Sequence, residues 1–329
     1  MEQDAMSQRG DAGKRRRKTL SDVAAHAGVS PVTVSRALRN PEMVSADLRQ
    51  RVATAVQELA YIPNQLASAL ASSRTHRIGV IVPSLTNGVF GDYLRAIHDV
   101  FVPAGLQVLV LNSGYVAGME EKAIATMLGQ HPEAMIVTGI DQTERSARML
   151  REAAIPVVQT METTDAPIDI SIGLSQRDAG YAATRHLIDL GHRHIAQLSV
   201  PLDARARQRI SGYRTAIDEA GLSPITISIE RASSFPLGAE LFAELHRRHP
   251  EMTAVFCGND NLALGAMFES QRLGLKVPDD ISIIGFNDLE FSATAFPGLS
   301  SVATPRYDIG LRSGEILLEI IRGSGERPK

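Results

Sequence analysis

Within residues 19–38, TLSDVAAHAGVSPVTVSRAL, and at Arg39 just beyond, hydroxyl and guanidinium groups crowd one short stretch: Thr33, Ser35, Arg36 and Arg39. A guanidinium fork matches the paired acceptors on a guanine edge or the oxygens of a phosphate, and hydroxyls bond phosphates. The neighbouring residues specify the elements that must present these groups. Val23, Ala24 and Ala27 give a first helix an apolar stripe, and Gly28 ends it where left-handed backbone is needed. Ser30 is placed to N-cap a second helix whose first residue is Pro31, where a missing N–H is harmless. Val34, Ala37 and Leu38 supply the buried side of that helix. Two short helices about a tight turn, the second carrying basic and hydroxyl groups outward, form a helix-turn-helix, whose second helix enters a DNA major groove.

Charge is distributed to match. Residues 1–77 hold 12 Lys and Arg against 7 Asp and Glu, while the rest of the chain holds 22 against 30. A near-neutral whole therefore joins a basic head to an acidic body, and only the head suits a nucleic acid. Lys14, Arg15, Arg16, Arg17 and Lys18 precede the first helix, where they either lean on phosphates or form a solvated run. Residues 1–18 have no apolar periodicity and read as a disordered basic arm. A third helix is expected after Ser45, running to about Tyr61, with Val52, Ala55, Val56 and Leu59 buried. That closes a helix-turn-helix domain over 19–61. Residues 62–77 read as a hinge with a short helix-capable stretch from Asn64 to Ala71, too short to stand alone in water.

From Ile78 to the end, the pattern changes to strands alternating with helices. Strands are expected at 77–82, 106–111, 133–139, 155–160, 170–173, 194–199, 225–229, 254–258 and 281–286. Amphipathic stretches at 89–103, 119–129, 176–190, 205–220, 237–248 and 261–273 lie between most of them. Such alternation builds parallel sheets covered by helices on both faces. The strands are too many for one ordinary open sheet, so residues 78–329 read as two doubly wound α/β subdomains with a ligand cleft between them. In such folds ligands sit beyond the carboxyl ends of strands.

The order of helix-turn-helix, hinge and two-lobed body resembles the LacI/GalR family of transcription repressors. The carrying motifs are 19–38, YIPNQLASAL (61–70), RIGVIVPSLTNGVF (77–90), LGHRHIAQL (190–198), FCGNDNLALGAM (256–267) and VPDDISIIGFND (277–288). SLTNGVF (84–90), GYV (114–116) and FESQRLGLKVPDD (268–280) are similar to its gluconate-utilisation branch. The resemblance implies a homodimer on pseudo-palindromic double-stranded operator DNA. It implies a periplasmic-binding-protein-like body, no cofactor, and a small effector, gluconate or a related sugar acid. It makes Pro31, Val32 and Arg36 the base-reading positions. Val32 suits a thymine methyl, and Pro31 departs from the polar side chains of many relatives. Thr19, Ser30, Thr33, Ser35, Arg39, Ser45, Tyr61 and Asn64 fall where relatives hold phosphates, although Thr and Ser at these positions also serve as helix caps. Leu70 matches a leucine that wedges into the minor groove and kinks the duplex.

The resemblance also implies that Arg209 grips the effector, with Arg205 and Arg207 read as ordinary surface residues beside it. Asn259 and Asp260 follow the strand at 254–258 and match cleft positions, though Asp260 would equally serve as a helix N-cap. Phe90 would stack on a sugar face or fill a core. Thr86, Asn87 and Glu162 are further candidates from loops toward the same cleft. Asn287 follows the strand at 281–286 in a GFN motif where many neutral-sugar members carry aspartate. A carboxylate there would repel an anionic ligand, whereas an amide removes that cost and still bonds hydroxyls.

Other function classes find little purchase. The chain has no GxGxxG after a strand, no GxxxxGK[ST] and no GxSxG. His192 and His194 lie two apart in a turn with no third ligand spaced for them, so neither metal binding nor catalysis is expected there. A transport receptor would share the body, but a polar basic N-terminus without an apolar core is no secretory signal. No apolar run reaches the roughly 18–20 residues that cross a bilayer. Cys257 is the single cysteine, which suits a reducing cytoplasm. Relatives usually continue past the position of Lys329 into one more strand. With no leucine heptad tail, a dimer is expected rather than a tetramer.

Overall fold

The computed structural model describes residues 18–63 and 74–323. The chain divides into two compact units, Met1–Thr75 and His76–Lys329.

In the first unit, α1 (Leu20–Ala27), α2 (Pro31–Arg39), a 3-10 turn (Pro41–Met43) and α3 (Ala46–Glu58) close on a small core. Val23, Ala24, Ala27, Val34, Ala37, Val52, Ala55 and Tyr61 form it. Each helix begins on a side-chain cap: Thr19, Ser30 and Ser45 accept the N–H of Asp22, Thr33 and Leu48. Asp22 returns the bond to the Thr19 N–H, completing a capping box. Two expectations need correcting here. Leu38 is 36% exposed, because Val34 and Ala37 already fill the narrow α2–α1 contact. The third helix ends at Glu58, so Tyr61 reaches the core from the segment after it.

Gly28 ends α1 at φ 64°, and Arg51 Nη2 donates to the Ala27 carbonyl at 2.6 Å beside it. A Cβ at Gly28 would be both left-handed and 3.2 Å from that guanidinium. Gly28→Ala is expected to destabilise the head by about 1–2 kcal/mol, read as faster amide hydrogen exchange across α1–α3 in the full-length protein. Unchanged exchange would refute the need for glycine there.

The second unit holds two five-stranded parallel sheets. One has the order β2-β1-β3-β4-β5, from β1 (Arg77–Val82), β2 (Gln107–Asn112), β3 (Ala134–Thr138), β4 (Val157–Thr160) and β5 (Ile170–Ile172). The other has the order β10-β9-β8-β6-β7, from β6 (Ile195–Ser199), β7 (Ile225–Ser228), β8 (Ala254–Cys257), β9 (Ser282–Asn287) and β10 (Ser300–Ala303). Read from the first strand of each lobe, the two orders are the same.

Helices cover both faces, so the central strands are apolar throughout rather than alternating. On the first lobe, α4 (Val89–Phe101) and α12 (Arg306–Arg322) cover one face. The other face takes α5 (Ala117–Leu128) and α6 (Glu144–Glu152). On the second lobe, α7 (Gln176–Asp189) and α8 (Ala204–Glu219) lie on one face. There α9 (Phe235–Arg248) and α10 (Asp260–Arg272) lie on the other. A short α11 (Glu290–Thr294) leads into β10. The strand β10 and the helices α6 and α12 were not among the expected elements. The chain passes between lobes after β5, around Leu289, which lies in the first lobe's core, and again after β10.

Candidate nucleic-acid interface and ligand cleft

On the head, the outward face of α2 carries Pro31, Val32, Arg36 and Arg39, all exposed. Val32 is 68% exposed and so is accessible to an apolar group on a partner. The guanidiniums of Arg36 and Arg39 have no hydrogen-bond or ion-pair partner among the described residues. Their forks are thus open to an acceptor. The hydroxyls expected at phosphates are already partly used: Thr19, Ser30 and Ser45 as caps, and Thr33 in a 2.8 Å bond with Ser30. Ser35 is half-buried. Tyr61 lies in the core at 8% exposure, which leaves little of it for a phosphate. Asn64, Leu70 and the basic residues 14–17 lie outside the described residues.

The cleft lies between the lobes of the second unit, at the carboxyl ends of both sheets, the switch-point location of doubly wound folds. From the first lobe come Asn87 and Phe90 at the start of α4, Tyr115 after β2 and Met161 after β4. From the second come Gln176 at the start of α7, Asp203, Arg205 and Arg209 around α8, Asn259 after β8 and Asn287 after β9. Ser233 and Thr304 complete its polar lining. A neighbouring cavity of about 300 Å³ shares Tyr115, Asp203 and Arg205 as a wall and extends to Ser113, Glu120, Thr138 and Asp141. The lobes are tied at its mouth, where Asp141 accepts from the Ala204 N–H at 2.9 Å and from Arg207 at 3.2 Å.

Arg209 is fixed with care. Its Nε donates to Gln176 Oε1 at 2.6 Å, its Nη1 donates to the Gly258 carbonyl at 2.6 Å, and its guanidinium lies 4.0 Å from the centre of the Phe286 ring. Gln176 is itself held by donating to the Met161 carbonyl at 2.7 Å. No carboxylate lies within ion-pair distance of Arg209 among the described residues. Burial pulls its pKa down to about 10. The backbone lets these helices meet closely: a Cβ at Gly180 would lie 2.5 Å from the Arg209 carbonyl oxygen, and one at Gly212 2.5 Å from the Tyr181 nitrogen.

Asn287 lines the cleft at φ 112°, followed by Asp288 at φ 54°, two consecutive non-glycine residues in left-handed backbone. Asn and Asp bear that conformation better than most. The Asn287 Oδ1 accepts from the Thr304 hydroxyl at 3.3 Å, leaving its amide hydrogens for a ligand. Asn259 caps α10 by accepting from the Leu262 N–H at 3.1 Å.

Several expected residues fall elsewhere. Asp260 is fully buried and does not line the cleft. It is not the cap of α10 either: its oxygens accept from the Leu289 N–H at 2.7 Å and the Ser301 hydroxyl at 2.5 Å, bracing the loop after β9. Burial raises its pKa. Glu162 is buried beside the cleft rather than in its lining, accepting from the N–H groups of Thr163 and Gln176, and burial raises its pKa also. Thr86 bonds Ser84 on an exposed loop outside the lining. Phe90 does line the cleft, as its floor: it is only 1% exposed, packed edge-on against Tyr93, with the Arg205 guanidinium 5.7 Å from its ring centre.

The largest correction concerns Arg205, read from sequence as an ordinary surface residue. It is 6% exposed and ion-paired to Asp203, the N-cap of α8. A signal for it existed: Arg205 lies four residues before Arg209, hence on the same helix face. Tyr115, Asp203 and Gln176 were also missed as lining residues, Tyr115 although its GYV had been noted.

Among the described residues, no cluster of three or more His, Cys, Asp or Glu could hold a metal ion, and no helix is long and apolar enough to cross a membrane. His192 bonds Thr253 and Ser282 through its two ring nitrogens, a structural use of both.

Comparison with known proteins places this geometry. Residues 19–64 match the family described as bacterial regulatory proteins, lacI family. Residues 75–329 match periplasmic binding proteins and sugar binding domain of LacI family. The HTH-type transcriptional regulator GntR of Escherichia coli (strain K12) is 42% identical over 316 residues, 96% of each chain. A LacI-family transcriptional regulator from Silicibacter pomeroyi superposes with a TM-score of 0.89 at 34% identity, covering 94% of both chains. The lac repressor dimer bound to operator and the anti-inducer ONPF gives 0.78 at 30% identity, again over 94% of both. The paired matches to head and body, and a relative of this identity along nearly the whole chain, make this protein a member of the LacI family of bacterial transcriptional regulators.

Proposed function

We propose that this protein is a homodimeric cytoplasmic repressor that leaves its operator when a sugar acid, gluconate or a close relative, fills the cleft. The carrying observation is Arg209, a half-buried guanidinium whose hydrogen-bond partners are all neutral oxygens. A charge held partly out of water without a counter-charge is costly, and a ligand carboxylate would supply the missing charge together with bidentate hydrogen bonds. Asn287 supports the same reading, since an amide in place of aspartate adds no repelling charge. The motifs shared with gluconate-utilisation repressors point the same way.

On the DNA side, Arg36 reads a guanine, Val32 packs on a thymine methyl, and Leu70 enters the minor groove at the operator centre. Closure of the body around ligand shifts the population of heads away from the operator-binding arrangement. Calorimetric titration of the full-length protein with gluconate, and with glucose as a neutral control, tests the ligand. Saturable binding of gluconate alone is expected. Binding of glucose with equal or greater affinity would make this a neutral-sugar regulator.

A further inference from the structure

Two guanidiniums face the cleft, but only one has a carboxylate. Arg205 and Arg209 are one turn apart on α8. The Arg205 side chain donates through Nη2 to Asp203 and, among the described residues, makes no other hydrogen bond. Arg209 uses Nε and Nη1 on neutral oxygens and keeps Nη2 open. A guanidinium offers five N–H donors, so the pair retains several that point at no acceptor. The charge within the cleft lining is two guanidiniums against one carboxylate. Burial pushes the Asp203 carboxyl up, but Arg205, the Ala206 N–H and Arg209 outweigh it, and its pKa ends below the ordinary value. Asp203 is therefore ionised at neutral pH.

On the reading that the cleft takes a sugar acid, we propose that Asp203 is a resident competitor: the carboxylate of an incoming monoanion replaces Asp203 on Arg205 and bridges Arg205 to Arg209. Asp203 has a second task that lets it yield. Its Oδ1 accepts from the Ala206 N–H at 2.9 Å as the N-cap of α8, and that bond does not depend on Arg205. The same residue thus keeps the buried Arg205 neutralised when the cleft is empty and weakens acid binding by competition when it fills. The charge count also sets ligand class. One carboxylate neutralises the surplus, whereas a phosphorylated sugar acid would overfill it.

Asp203→Asn separates this role from a structural one, because asparagine caps helices as well as aspartate does. Full-length wild-type protein and this variant are titrated with gluconate, glucose and 6-phosphogluconate. Gluconate is expected to bind Asp203→Asn about tenfold more tightly than wild type, the order of one relieved charge-assisted hydrogen bond. Arg205→Gln is expected to weaken gluconate binding about 100-fold, the order for a hydrogen-bonded ion pair lost in a buried site. In wild type, 6-phosphogluconate should bind more weakly than gluconate. Equal or weaker gluconate binding by Asp203→Asn, with wild type still binding gluconate, overturns the competition and leaves the sugar-acid reading standing. Gluconate binding by neither protein, both folded by circular dichroism, overturns the two together.

Discussion

Arg209→Met is expected to weaken gluconate binding at least about 30-fold, since truncating one partner of a hydrogen-bonded charge pair enclosed in a binding site costs about 2–5 kcal/mol. Methionine fills much of the volume above Phe286, so the loss reports the guanidinium rather than a cavity. Arg209→Lys should recover little: lysine keeps the charge but cannot span Gln176 and the Gly258 carbonyl with a planar fork. The check is calorimetry on each variant, together with operator release measured by gel shift against gluconate concentration. A repressor that stays on its operator at gluconate levels that free wild type is the expected outcome. Wild-type affinity in Arg209→Met would remove Arg209 from the ligand site.

The second large effect is expected at a residue outside the cleft lining. At Gly212 an added methyl would fall on the Arg177 carbonyl oxygen and the Tyr181 nitrogen, both backbone atoms of the facing helix α7. Backbone cannot rotate away as a side chain can, so Gly212→Ala must push α7 and α8 apart. Overpacking of this kind costs about 3 kcal/mol, although alanine is intrinsically the better helix former. The midpoint of urea unfolding should fall accordingly. Because Arg209 is on α8 and Gln176 on α7, gluconate affinity should fall with it. Gly118→Ala in α5 is the control, with open space at its Cβ and ordinary backbone; it should leave stability unchanged or raise it by under about 1 kcal/mol. Equal midpoints for Gly212→Ala and wild type would mean the two helices are not closely fitted.

The head was legible because its signals are local. Caps, a turn glycine and apolar stripes all lie within a few residues, and Thr19, Gly28, Ser30, Ser45, Val34 and Val52 take the expected positions. The nine named strands also form, because buried parallel strands are nearly continuous apolar runs. The strand β10 escaped notice because SSVA at a sheet edge has no such run. The helix α6, ERSARMLRE, hides a narrow buried stripe of Ala147 and Leu150 among charges. The cleft was half-legible. Arg209, inside a helix, and Asn87, on a loop, line it where the family resemblance implied a cleft residue, while Asn259 and Asn287 line it from strand ends. Asp260 shares that position but points back at Leu289 and Ser301, which only the three-dimensional path of the loop after β9 decides. Arg205 was misjudged for a related reason: burial of a long charged side chain depends on a partner, and Asp203 supplies it.

The last long helix, α12, has a consequence for how the molecule is made. It packs on α4 and the sheet of the first lobe, with Arg306 donating to Asp92 at 2.9 Å and Tyr307 to Asp99 at 2.9 Å. About two hundred residues separate these partners. During synthesis, the ribosome therefore releases all five strands of the first lobe, and then the whole second lobe, before the helix that seals the first arrives. Through that interval Tyr93, Ile97 and Phe101 lack the Ile309, Ile316 and Leu317 cover they have in the finished fold. A transcript truncated late leaves this apolar face open to chaperones and proteases, the state in which partly folded chains aggregate or are degraded.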